Sequence, residues 1–262
     1  MATYLDRILE AHRAEAALDG RDADELRHRC VDLPPTRGFR AALASVDTDR
    51  DGVGVIAEVK RRSPSKGALA PDLDPGALAR AYVDGGASCL SVLTDREFFG
   101  GSPEDLAAAR SAVEVPVLRK DFTVSPLDVL DARLMGADCV LLIAAALGVG
   151  ELADLHGRAV EIGLDVLVEI HDEDELGHAL AAGAALVGVN QRDLVTFEVD
   201  HERALRMATV MPAGVLAVAE SGVRGHDDAA ALAGAGYSAV LVGESLVTSG
   251  DPAAAVREMR RR

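Results

Sequence analysis

From about residue 53 onward the chain repeats one unit eight times, an apolar run of four to seven residues followed by an alanine-rich stretch with helical spacing. The repeat length, roughly 20 to 35 residues, is that of a β-strand plus a helix. The runs lie near 54–59, 88–93, 115–119, 138–143, 165–169, 185–189, 215–219 and 238–242. They are apolar on both faces and no two-residue turn joins them, which fits parallel strands covered by helices and excludes hairpins. Asp74-Pro75, Ser102-Pro103 and Asp172 with Glu175 in capping-box register mark helix starts, and Gly85-Gly86, Gly136, Gly163, Gly183 and Gly236 mark helix ends. Eight units predict an α/β fold, a closed (β/α)8 barrel of the TIM type over residues 51–262. An open doubly wound sheet is the alternative, but no glycine-rich dinucleotide fingerprint follows the first strand. Residues 1–50 break the repeat. Tyr4 to Leu18 and Phe39 to Leu43 read as helices of an N-terminal extension packed on the barrel, lying across it rather than in its outer ring, within a single domain overall.

Composition narrows what such a barrel can meet. The net charge of −16 repels nucleic acid and anionic membrane at long range, so an anionic ligand must be held by local positive groups. The longest apolar run, Val140 to Leu147, is far short of the roughly 20 residues that span a bilayer. The amphipathic, charged start Met1-Ala2-Thr3-Tyr4-Leu5-Asp6-Arg7 lacks a signal core. The expectation is a cytoplasmic protein with no membrane or nucleic-acid partner, a monomer or weak homo-oligomer, whose Cys30, Cys89 and Cys139 are buried reduced thiols.

Chemistry in a barrel of this kind is built at the carboxyl ends of the strands. Here those ends are polar: Glu58-Val59-Lys60, Lys120-Asp121, Glu169-Ile170-His171, Asn190-Gln191-Arg192 and Glu220-Ser221-Gly222. Alternation points Glu58 and Lys60 to one side, inward toward the mouth, with Ile56 and Val59 packing elsewhere. Lysine is scarce: of 27 basic residues only Lys60, Lys66 and Lys120 are lysine, and two stand at strand ends. Arginine keeps its proton, whereas a desolvated lysine can lower its pKa and exchange one, so this placement suggests proton chemistry. Ser221-Gly222-Val223 and Val242-Gly243-Glu244-Ser245 put small residues and free backbone N–H groups where barrels cradle phosphate. Phe98-Phe99 and Phe122 could line a pocket for a planar ring or pack the rim. His171 reads as a helix-start hydrogen-bonding residue. Asp47-Thr48-Asp49-Arg50-Asp51-Gly52 with Glu58 matches a calcium-loop pattern, but a strand rather than a helix follows, so these aspartates read as a solvated turn and no metal is expected.

Ile56-Ala57-Glu58-Val59-Lys60, Ser63-Pro64-Ser65-Lys66-Gly67, Leu118-Arg119-Lys120-Asp121-Phe122, Val168-Glu169-Ile170-His171, Gly188-Val189-Asn190-Gln191-Arg192-Asp193-Leu194, Ala219-Glu220-Ser221-Gly222 and Leu241-Val242-Gly243-Glu244-Ser245-Leu246 closely resemble indole-3-glycerol phosphate synthase. The resemblance runs from about residue 50 to the C-terminus in motif order and departs at Gln191, where the family pattern has asparagine. It implies closure of 1-(2-carboxyphenylamino)-1-deoxyribulose 5-phosphate, with loss of CO2 and water, to indole-3-glycerol phosphate, without a cofactor. By family position Lys120 is then the proton donor, Glu169 stabilises or deprotonates the cationic ring intermediate, and Glu58 and Lys60 serve dehydration and the substrate carboxylate. Asn190 and Arg192 orient the substrate, Glu220 braces the lysines, and Phe99 and Phe122 flank the ring. Ser63, Ser221, Gly222, Gly243 and the Glu244 N–H hold phosphate. Two other readings make different predictions. One is a different phosphosugar barrel, either of ribulose-phosphate isomerase type or a Schiff-base aldolase, of which the aldolase would be trapped by borohydride on Lys120; the other, a non-catalytic phosphosugar-binding barrel, would tolerate loss of the proton-transfer groups.

Overall fold

The computed structural model describes residues 3–193 and 195–261; Met1, Ala2, Leu194 of the sequence motif, Arg262 and the side chain of Asp49 lie outside the described residues. Eight parallel strands close into a barrel: β1 Gly54–Val59, β2 Cys89–Leu93, β3 Val117–Lys120, β4 Cys139–Ile143, β5 Asp165–Ile170, β6 Leu186–Asn190, β7 Leu216–Glu220 and β8 Ala239–Val242. Closure is made by β1, which pairs Gly54 with Ala239 of β8 on one side and Ile56 with Cys89 of β2 on the other. β3 starts two residues later than the sequence run, because Pro116 has no N–H to give the ladder.

Alternation sorts each strand into two cores. Val55, Ala57 and Val59 join the cluster formed with the helical shell, where Ala79 and Tyr82 of helix Pro75–Asp84 also lie. Ile56, Leu118, Leu141, Leu167 and Leu241 fill the barrel interior. Ile56 therefore does not pack elsewhere as expected. Two residues from Glu58, it shares its inward face one layer deeper. Asp74, Ser102 and Asp172 cap their helices by accepting from the N–H three residues on. Glu175 does not complete the expected box. It accepts instead from the His171 N–H at 2.7 Å and lies 3.1 Å from the His171 ring.

Before the turn at residue 48 the chain forms three helices where two were expected: α1 Tyr4–Leu18, α2 Ala23–Val31 and α3 Phe39–Ala44. α2 buries only Leu26 and Cys30, an i,i+4 stripe too narrow to read, against Leu130 of helix Pro126–Leu134. α1 lies over the carboxyl-terminal mouth, with Tyr4 edge-on to Phe98 and Phe197 and Arg13 paired to Glu151 at 2.9 Å. α3 seals the amino-terminal floor: Phe39 and Leu43 are fully buried in the interior cluster, and Arg40 N donates to Asp165 at 2.8 Å. The segment read as a solvated turn is a single helical turn, Thr48–Asp51, in which Arg50 pairs with Asp51 at 2.9 Å. No helix among the described residues is long and apolar enough to cross a membrane.

Candidate active site

All fourteen residues singled out at the strand ends and turns line one cavity of about 640 Å³ at the carboxyl-terminal mouth. At its base the Lys120 Nζ lies 3.0 Å from Glu169 Oε2 and 3.6 Å from Glu220 Oε2. The other Glu169 oxygen accepts from Asn190 Nδ2 at 3.0 Å. Glu58 and Lys60 form a second pair at 2.5 Å. Glu58, Glu169 and Glu220 are 4%, 2% and 2% exposed, which removes most of the water that would screen these charges. Two glycines make room for them. A methyl group at Gly188 would meet the Glu220 carboxylate, and one at Gly243 would meet the Glu58 carboxylate with the Lys60 ammonium 3.0 Å away. Gly243 thus has a packing reason to be glycine in addition to its expected place near phosphate.

The protonation pattern follows from this crowding. Burial works against the Lys120 charge, but the carboxylates of Glu169, Glu220 and Glu58 outweigh it and hold the pKa above the ordinary lysine value. The expected lowering of a lysine pKa does not occur here, because desolvation is opposed by more than one carboxylate. Burial also pushes Glu169 up, yet Lys120, His171 and the Asn190 hydrogen bond prevail and keep it below the usual carboxylate range. Glu220 goes the other way: burial and the neighbouring Glu169 charge push it up to about 8. At neutral pH an ammonium and a carboxylate therefore sit beside a largely protonated carboxyl group. Glu220 Oε1 has no hydrogen-bond partner among the described residues.

At the other end of the cavity Ser221 and Gly222 take successive positive φ values of 64° and 76°, turning the chain sharply as it leaves β7. For a serine this left-handed conformation is costly and needs support. Gln191 supplies it. The residue is 2% exposed, its N–H donates to the Glu220 carbonyl at 3.0 Å, and its Nε2 donates to the Ser221 carbonyl at 2.7 Å. In the sequence it was only a departure from pattern; its amide shapes the turn. Across the cavity Ser63 lies in a short antiparallel pair, Arg62–Ser63 with Gly67–Ala68, that the sequence did not announce, and its Oγ accepts from Lys66 N at 3.2 Å. Arg192 is braced by Phe197 O at 3.0 Å, and Glu244 lies 3.8 Å from Lys66 and 4.0 Å from Arg192. Phe99 and Phe122 are 6.2 Å apart, tilted by 38°. His171 makes its hydrogen bonds at the helix start as expected, while its Nε2 lies 3.9 Å from Glu169. Asp95 and Asp121 also line the cavity. Sequence reasoning noted Asp121 at a strand end without giving it a role, and missed Asp95, which lies just beyond a strand end with no motif to mark it.

A closed parallel barrel with two ammonium groups, three carboxyl groups and a glycine turn at its carboxyl-terminal mouth defines an acid–base enzyme of the (β/α)8 class. Residues 5–259 match the family model for indole-3-glycerol phosphate synthase, and the chain belongs to that family. It is 52% identical to an indole-3-glycerol phosphate synthase of Mycolicibacterium smegmatis, covering 98% of this chain and 94% of that protein. The enzyme of the same name from Mycobacterium tuberculosis H37Ra is 50% identical, with the same coverage. Among solved structures, a thiamine phosphate pyrophosphorylase from Pyrococcus furiosus superposes with a TM-score of 0.61 at 18% identity, over 80% of this chain and 95% of that one, a likeness of fold alone. Family membership makes the chain a carboxy-lyase of tryptophan biosynthesis.

Proposed function

We propose that the mouth cavity closes the indole ring of 1-(2-carboxyphenylamino)-1-deoxyribulose 5-phosphate with Lys120 as the proton donor. The ring carbon that carries the carboxylate attacks the ketone carbon, and the ketone oxygen takes a proton from the Lys120 ammonium as its charge develops. Loss of CO2 returns the C–C bond electrons to the ring. Dehydration then needs a proton for the departing hydroxyl and a base for the proton on the neighbouring carbon. Lys60 gives the first and Glu169, kept ionised by Lys120, takes the second, while Glu58 holds Lys60 in place. Glu220, with its raised pKa, stores a proton beside Lys120 and braces it through Oε2. Asn190 and Arg192 orient the substrate, Phe99 and Phe122 take its aromatic ring, and Ser63, Ser221, Gly222, Gly243 and the Glu244 N–H take its phosphate.

The observation that carries this reading is the Lys120 ammonium held 3.0 Å from Glu169 at the base of the cavity. A group that must donate a proton has to be charged before the reaction begins, and the surrounding carboxylates keep it so. We further infer a single domain in which residues 1–50 serve the barrel of 51–262. The high negative charge supports a cytoplasmic protein that avoids nucleic acid and stays a monomer or weak homo-oligomer. Single-turnover assays with the carboxyphenylamino substrate, following indole absorbance, test the site. Loss of ring closure in Lys120→Ala and in Lys120→Arg supports the donor role, and wild-type closure in either variant refutes it.

A further inference from the structure

We propose that His12, on α1, is a positioning residue for the aromatic half of the substrate: through Asp95 it fixes the turn that presents Phe99 opposite Phe122. The inference rests on the reading that this pair of rings receives the substrate ring. His12 Nε2 lies 2.9 Å from Asp95 Oδ2, and Asp95 Oδ1 accepts from Phe98 N at 2.6 Å and Phe99 N at 2.9 Å. One buried carboxylate therefore ties the N-terminal helix to the backbone of the residue that lines the cavity. The His12 ring also backs Phe122 directly, 5.5 Å between centroids, so a single imidazole touches one ring of the pair and holds the backbone of the other.

His12, Asp95 and Asp121 lie close enough together to suggest a cation site. Their oxygens argue for a hydrogen-bonded clamp instead. Asp95 is engaged by His12 and two backbone N–H groups, while Asp121 accepts from Phe122 N, Arg119 and the Thr94 hydroxyl. No bare carboxylate oxygen is left between them. The charged groups facing His12 are Asp95 beyond β2, Asp121 with Arg119 at β3 and Asp128 from helix Pro126–Leu134, and Glu15 of α1 shares its cavity wall. Burial disfavours charge on the imidazole, but Asp95 and Asp121 prevail and raise its pKa. The clamp is therefore ionic at low pH and weakens as the pH rises through the raised histidine value.

Steady-state kinetics of wild type, His12→Ala, His12→Gln and Phe122→Ala with the carboxyphenylamino substrate, between about pH 6 and pH 9, test the clamp. The expected result for His12→Ala is a KM raised about tenfold with kcat changed much less, since the reacting groups are untouched. His12→Gln keeps an N–H for Asp95. It should recover most of the KM and lose the rise of KM with pH expected of wild type. An unchanged KM in His12→Ala, or a fall in kcat at constant KM, overturns the clamp, as does a Gln variant with the wild-type pH dependence. Phe122→Ala separates the two levels of the argument. A raised KM there with none in His12→Ala removes the clamp and leaves the ring slot, whereas an unchanged KM in Phe122→Ala removes the slot and the clamp with it.

Discussion

One strand, β5, carries an acidic group at each end, half-buried Asp165 at the floor and buried Glu169 at the mouth, and the two are treated differently. At the floor Asp165 accepts from Arg40 N at 2.8 Å, and the neighbouring Asp138, with no exposed surface, accepts from Arg37 N, Arg110 Nη2 and Val117 N at 2.9, 3.1 and 2.9 Å. Donors there are fixed and numerous. At the mouth Glu169 shares one ammonium with Glu220, and a Glu220 oxygen is left without a partner among the described residues. Asp138 is as buried as Glu169, so what separates a structural charge from a reactive one is the supply of donors. Satisfied groups hold the fold together, and an undersupplied cluster keeps a proton that can move.

The contrast is broken most severely at the mouth. Lys120→Ala should lower kcat per folded molecule by about 10² to 10⁴, and Lys120→Arg should be nearly as poor because guanidinium does not release its proton. At the floor the reverse is expected. Asp138→Ala leaves Arg110 and two backbone N–H groups unpaired and should cost about 3 to 5 kcal/mol of stability in denaturant titrations, with kcat per folded molecule preserved. An Asp138 variant that loses kcat at full stability would erase the distinction between the two ends. Gly188→Ala sharpens it, since the added methyl meets the Glu220 carboxylate. An overpacking loss of about 1 to 3 kcal/mol should accompany reduced turnover.

Glu220→Gln should act through the pH dependence of stability. The folded-state pKa is raised from 4.5 to about 8, so between those values the unfolded chain has released a proton that the folded chain still holds. Wild type therefore loses stability from this group as the pH rises through that window, by at most about 1.4 kcal/mol per pH unit. Glutamine does not titrate, and its stability relative to wild type should grow between pH 4.5 and about 8 and then level off. Parallel curves for the two proteins would show that Glu220 is not the group held protonated.

Much of this was legible because it is local. The two-residue alternation of a buried strand, the helix starts at Asp74, Ser102 and Asp172, and charged residues at successive strand ends are all written within a few residues of one another. That was enough for the eight strands and for the residues that line the mouth. α2 was not legible, because burying only Leu26 and Cys30 leaves no apolar face to read. Gln191 was not legible either, because its value lies in a carbonyl 30 residues away.

The sequence by itself determined that this chain forms a parallel barrel and that lysine and glutamate gather at one end of it, since period and strand-end chemistry need no knowledge of distant neighbours. Only the tertiary structure decided which carboxyl group keeps its proton, which one faces Lys120, and that His12 reaches Asp95. Those properties depend on burial and on charges brought together across 49 and 83 residues of chain. Electrostatic energy depends on distance and on the water removed between groups, and neither quantity exists until the barrel has closed.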